Sequence, residues 1–176
     1  MNELGHGTGP FGELCREATR NGIYKPADQV GDTGNTRYFR MGDLFAIDKI
    51  DSSVAPTLMT ELSDAELDKH RVQGGDLLFC RTSVAAEGVG KCSIVRDASS
   101  PLVPASNLIR VRVDPDKVDP CFAYYYFRSA AGSKQLRNMV RGAAVFTITG
   151  GDIGLDTYTC VQYISGVTHV RRRGSV

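Results

Sequence analysis

An α+β domain is predicted by three features of the sequence. Gly74-Gly75-Asp76 supplies a turn, and Leu77-Leu78-Phe79-Cys80 follows as an apolar run of strand length. ASNLIRVRVD sets Leu108, Arg110 and Arg112 against Ile109, Val111 and Val113, the period-two signature of a strand. Ser63 and Asp119-Pro120 carry the chemistry of helix starts. Strands and helices come mixed, without the regular alternation of a doubly wound sheet, so a mixed twisted sheet with short flanking helices is expected. At 176 residues the chain suits one domain with a real core.

Taken in order, FGELCREATR places Phe11, Leu14, Cys15 and Ala18 at helical spacing, and Asn21-Gly22 follows as a stop, which predicts a short amphipathic helix. IYKPADQVGDTGNT, with Pro26, Gly31 and Gly34, reads as a loop leading into a strand over Tyr38-Phe39-Arg40-Met41. Within the acidic stretch Thr60 to His70, Ser63 and Glu66 form a capping box, predicting a surface helix. The small-residue loop VAAEGVGK separates the Leu77–Cys80 strand from Cys92-Ser93-Ile94-Val95, its hairpin-like partner. The alternation at 108–113 predicts one buried and one wet face. Asp119 caps a helix with proline in its first turn, and the aromatic run Phe122 to Phe127 reads mostly as core. Near GSKQLRNMVR a further helix turns Leu136, Met139 and Val140 inward and Lys134, Arg137 and Arg141 outward.

Composition excludes several classes. The chain is 41% hydrophobic and 23% charged, with no apolar stretch near the roughly 20 residues that a membrane span needs. No secretory pattern opens it, so a cytoplasmic location is expected. Five cysteines, widely spaced and without a C-x-x-C pair, suit reduced thiols, and three scattered histidines build no recognised zinc spacing. Net charge is +1, but it is segregated: Asp51 to His70 holds five acids against Lys69, whereas Cys121 to Gly151 holds Arg128, Lys134, Arg137 and Arg141 with no acid.

No catalytic set emerges. EGVGKCS suggests a phosphate loop, but the first glycine of that pattern falls at Ala85 and its magnesium-holding hydroxyl at Cys92. Cys80 lies in an apolar strand with no histidine in a recognisable motif beside it. No carboxylate pair or metal-ligand cluster stands out, so neither an enzyme nor a bound cofactor is expected. What remains is Arg, Lys, Thr, Ser and Asn on loops between strands. Arg can fork onto guanine, Asn can pair with adenine, hydroxyls serve either, and Lys neutralises phosphate.

The order and spacing of several pieces carry a resemblance. They are FGELCREATRNGIYKP, YFRMGDL at 38–44, VQGGDLLFCRTS at 72–83 with GVGKCSIV after it, ASNLIRVRVD, VDPCFAYYYFRS at 118–129 and RGAAVFTITGGDIGL at 141–155. From about Phe11 to Leu155 the chain resembles a target recognition domain of the DNA specificity subunit of type I restriction-modification systems. The resemblance implies a noncatalytic module that reads part of a split duplex DNA target while modification (methyltransferase) and restriction subunits act. It also implies that the loops around GDLLFCRTS and RGAAVFTIT, and the stretch after the first helix, face DNA. Carried over by position, the expected contacts are Lys25, Arg37, Arg40, Arg81, Thr82, Ser83, Lys91, Arg141 and Thr147. Arg81 is the expected base contact, and Lys25 and Arg141 the expected phosphate contacts.

The expected organisation is an N-terminal extension at 1–10, a recognition domain at 11–158 and a basic tail at 159–176. The tail departs from the family. Where relatives continue through a proline-rich stretch into a long spacer helix, this sequence runs DTYTCVQYISGVTHVRRRGSV without a heptad pattern. A truncated or stand-alone recognition domain is the expectation, with Arg171-Arg172-Arg173 as nonspecific phosphate attraction. The alternative is a protein-interaction module that docks on methyltransferase subunits without reading DNA.

Overall fold

The structure, a computed structural model, describes residues 5–163 apart from 52, 55 and 157. Among the described residues, two open mixed sheets, two two-stranded ribbons and four short α-helices make an α+β fold, as the sequence predicts. The chain begins with β1 (Gly5–Pro10), a single 3-10 turn at Phe11–Leu14 and β2 (Arg20–Asn21). β3 (Val30–Gly31), β4 (Thr36–Phe39), α1 (Met41–Ala46), β5 (Lys49–Ile50), β6 (Met59–Thr60) and α2 (Asp64–His70) follow. Then come β7 (Leu77–Cys80), β8 (Thr82–Ser83), β9 (Cys92–Val95), β10 (Leu102–Pro104) and β11 (Leu108–Val111). α3 (Pro120–Arg128), α4 (Ala130–Met139), β12 (Phe146–Thr147) and β13 (Tyr158–Tyr163) complete it.

The larger sheet runs β2-β11-β7-β9-β5, and the smaller one runs β10-β4-β6-β3. β7 is central and buried throughout, and its alternation feeds two cores. Leu77 and Phe79 join Phe127, Tyr124 and Leu136 of α3 and α4 on one face. Leu78 and Cys80 join Leu44 of α1, Phe39 and Leu108 on the other. Phe127 meets Phe11 and Phe79 edge-on, with ring centroids at 4.8 and 5.0 Å, a favoured aromatic geometry. A third cluster holds Tyr38, Leu62 and Val103.

Locally specified elements form where the sequence places them. Ser63 Oγ accepts from Glu66 N at 3.4 Å, and the Glu66 carboxylate accepts from Ser63 N at 3.0 Å. Asp119 accepts from Phe122 N at 2.9 Å, with Pro120 in the first turn. β7 and β9 pair antiparallel, Leu77 opposite Ile94.

Three expectations are corrected. The helix expected from Phe11 does not pass Leu14: Cys15 bridges Val113, Arg16 N donates to Arg112 O at 2.9 Å, and Arg20–Asn21 pairs with β11. Sheet-edge hydrogen bonding outweighs helical spacing there. Gly22 is required by approach rather than by a helix stop, since a Cβ would lie 2.1 Å from Pro104 O. The strand expected over 38–41 ends at Phe39, because Arg40 N donates to Asp43 Oδ2 at 2.7 Å and α1 begins. The wet face expected of β11 is absent: all four of its residues are buried, Arg110 to 4% exposure. The aromatic run divides, with Tyr124 and Phe127 in the core and Phe122 and Tyr125 exposed.

β1 pairs antiparallel with β13 from Gly5↔Tyr163 to Pro10↔Tyr158, so the stretch set apart as an extension supplies a strand. The triple-arginine tail lies outside the described residues.

Candidate functional site

β7 leaves the core at Arg81. Arg81 N donates to Asn107 O at 2.9 Å, its Nη1 to Ser106 O at 3.3 Å, and its own carbonyl accepts from Ile148 N at 3.0 Å. Its backbone is thus fixed from both sides while the guanidinium stays partly exposed. The chain then enters a ribbon in which β8 and β12 pair antiparallel, Thr82↔Thr147 and Ser83↔Phe146. On the other side of β12, Arg141 N donates to Thr147 O at 3.0 Å and Thr147 N to Arg141 O at 2.8 Å. Gly142 closes the turn at φ +118°, and a Cβ there would lie 2.0 Å from Val145 O, so glycine is required. One ribbon therefore gathers Arg81, Thr82, Ser83, Arg141 and Thr147 from segments some sixty residues apart in sequence.

Beside the ribbon, a hollow of about 700 Å³ is lined by Tyr24, Lys25, Tyr38, Arg40, Ser106 and Asn107 among others. Ser106, the residue to which Arg81 donates, joins hollow and ribbon into one rim. Tyr24 and Arg40 are exposed there. The sequence reading missed Tyr24, Ser106 and Asn107, although turn chemistry directly ahead of β11 marks the last two.

The rim differs in detail from nine free side chains. Lys25 pairs with Glu66 at 3.1 Å and is only 11% exposed. Ser83 is buried and its Oγ accepts from Ala85 N at 3.1 Å, which fixes the turn after β8. Lys91 donates to Phe45 O at 2.9 Å and stands 5.0 Å from the centre of the Phe45 ring, tying α1 to the loop before β9. Arg141 pairs with the buried Asp152 at 2.7 Å yet stays 68% exposed, so its outer edge remains in solvent. Thr82 and Thr147 are half-buried in the ribbon. Arg37 alternates with Tyr38 on β4 and so points away from the hollow that Tyr38 lines, which sets it apart from the others. Apart from Ala85, two residues on from Ser83, these internal partners lie far off in sequence, and no local pattern signals them.

Among the described residues, titratable groups do not converge as a reacting set would. Burial pushes the thiols of Cys15 and Cys80 up to about 11 and that of Cys92 higher still, so all three stay protonated at neutral pH and are poor nucleophiles. Among the described residues, Cys15, Cys80, Cys92 and Cys121 are free of disulfides, and no group of three or more His, Cys, Asp or Glu could hold a metal ion. No helix among the described residues is long and apolar enough to cross a membrane.

Comparison with known proteins places this architecture. No family model matches the chain. Over 82 residues it is 33% identical to the specificity subunit of the type I restriction enzyme EcoKI from Escherichia coli K12, a match covering 46% of this chain and 18% of that protein. An S subunit of a type I restriction-modification system from M. genitalium superposes with a TM-score of 0.55 at 15% identity, over 88% of this chain and 34% of the other. A chain from a type I system described for complex assembly and conformational transition gives 0.62 at 16%, over 88% and 33%. The HsdS subunit of Thermoanaerobacter tengcongensis gives 0.54 at 18%, over 84% and 33%. The chain thus spans about a third of these solved subunits and under a fifth of the sequence relative. In sequence and in fold it resembles a target recognition domain of type I specificity subunits.

Proposed function

We propose that this chain, with the fold of a type I recognition domain, reads part of a duplex DNA target and catalyses nothing itself. The observation that carries the reading is the rim: Arg81, Thr82, Thr147 and Arg141 on one ribbon, continuous through Ser106 with the hollow that holds Lys25 and Arg40. Rigid backbone behind partly exposed cations and hydroxyls suits readout of groove edges, because contacts held in place lose little entropy on binding. Arg81 is assigned to a guanine edge, and Arg141 and Arg40 to phosphate. Lys25 keeps its phosphate assignment only if it exchanges Glu66 for the backbone, and Ser83 and Lys91 act by shaping the rim. Residues 11–158 form the recognition unit, acting in the cytoplasm on DNA alongside modification and restriction subunits, with no cofactor.

The experiment is a gel-shift selection from a random duplex pool at two salt concentrations. Sequence-preferring binding that weakens steeply with salt is expected. Binding without enrichment of any sequence overturns the reading.

Phe122 and Tyr125, three residues apart and exposed on one face of α3, favour a second reading in which the chain docks on methyltransferase subunits. Co-purification with modification subunits in the absence of DNA, unaffected by Arg81→Ala, is its discriminator.

A further inference from the structure

Resting on the DNA reading above, we infer that Val84 and Val145 form an apolar tip that contacts the 5-methyl group of thymine in the major groove. The last pair of the β8–β12 ribbon is Ser83↔Phe146, so Val84 leaves it and Val145 enters it at the same end, and they are 82% and 56% exposed. Nothing in the described fold covers them. Exposed valines are ordinarily unremarkable one at a time, but two at the same end of a fixed ribbon form a small patch.

The tip is held stiffly. The Arg141↔Thr147 pair closes the loop at one end, Gly142 permits a turn no other residue fits, and Val145 is branched at Cβ. Residues 142–145 are all exposed and uncharged, and Glu87 is the one acid on the neighbouring 84–91 loop. Arg81 and Arg141 stand on the flanks of the ribbon, so the surroundings favour a polyanion while the tip itself offers no donor or acceptor side chain.

Charge complementarity selects duplex DNA as the occupant, and the chemistry of the tip selects what it touches. Of the groups that base edges present in the major groove, the thymine methyl is the one apolar member. Insertion between base pairs is performed by longer side chains such as Phe, Leu, Ile or Met, which valine does not match in reach.

The test starts from the duplex enriched by the selection described above and replaces each thymine in turn by deoxyuridine, which removes a methyl and leaves pairing and charge unchanged. Wild-type protein is expected to lose about fourfold in affinity at one or more positions, the worth of one buried methyl. The double variant Val84→Ala, Val145→Ala is expected to bind the thymine duplex more weakly and to be indifferent to the same replacement. Its melting temperature serves as a folding control, and the wild-type arm decides the matter even if the variant fails to fold. Equal affinity for both duplexes, or an enriched site without A·T pairs, overturns the inference while leaving sequence-specific binding intact. Equal affinity together with loss of modification-subunit binding in the variant reassigns the tip to a protein partner. If no sequence is enriched at all, the functional reading fails first and takes this inference with it.

Discussion

Two groups of arginines in this molecule have opposite fates. Arg110 and Arg112, on and just beyond β11, are turned inward. Arg110 donates to Arg71 O at 2.7 Å and to Glu17 at 3.0 Å, and Arg112 grips Asp76 through two nitrogens at 2.7 and 2.8 Å and reaches Glu17 at 2.8 Å. Asp76 is 1% exposed, and its hydrogen-bonded contact to Arg112 holds that guanidinium's pKa above the ordinary value, whereas burial lowers that of Arg110. Arg81, Arg40 and Arg141 sit on the rim instead, with ends still open to solvent. A guanidinium enclosed with carboxylates serves the fold, and one held along a single edge with the other in solvent can serve a partner.

The contrast is broken or sharpened most strongly at Asp76. Asp76→Ala leaves Arg112 largely buried without its bidentate partner, an arrangement that costs about 3–5 kcal/mol. Urea denaturation should show the midpoint falling sharply, and a loss below 1 kcal/mol would erase the distinction between the two groups. Next is Arg81→Ala, which should cost about 1–3 kcal/mol of binding to the enriched duplex and relax preference at one base pair. The melting temperature should hardly move; a large drop would move Arg81 into the structural group. Smaller again is Arg40→Gln, whose guanidinium makes a long ion pair with Asp43, at 4.0 Å, and is 55% exposed. Affinity should weaken evenly across sequences, with the slope of log K against log salt reduced by about one unit.

The smallest effect concerns pH and belongs to the enclosed group. Burial pushes the His70 pKa down, and neighbouring Lys69 and Arg20 push it further. Among the described residues its buried Nδ1 meets no hydrogen-bond partner. A histidine held below its unfolded value of about 6.5 binds fewer protons folded than unfolded, so its stabilisation is present above that pH and fades as pH falls through the lowered folded value. Melting curves from pH 7 down to 5 should decline, and His70→Gln should flatten that decline. An unchanged slope would remove His70 from the account.

Much of the fold was legible because its signals are local. The Ser63–Glu66 box and the Asp119-Pro120 start satisfy backbone donors within one turn, so no distant residue can override them cheaply. Phe11 to Ala18 misled for the opposite reason: helical spacing was present, but the 12–16 backbone had pairing available on Val113 and Arg112, about a hundred residues on. The alternation of 108–113 gave the strand correctly and its environment wrongly, because a period of two cannot tell water from an enclosed salt bridge. At the rim, the fold brings together segments that the sequence named far apart, but the internal partner of each side chain was not legible. Lys25 meets Glu66 and Lys91 meets Phe45 only after folding. Val84 and Val145 escaped notice because their adjacency is a product of the β8–β12 register.

The pairing of β1 with β13 sets Gly5 opposite Tyr163, which brings two remote points of the chain to one place. A short peptide could join them, and new ends could be opened in the exposed 115–117 turn, giving a circularly permuted molecule that keeps the sheet pairing and gives up the turn bonds to Asp114. Anything joined directly to Gly5 would therefore start beside anything joined directly to Tyr163, and the two would share one edge of the body.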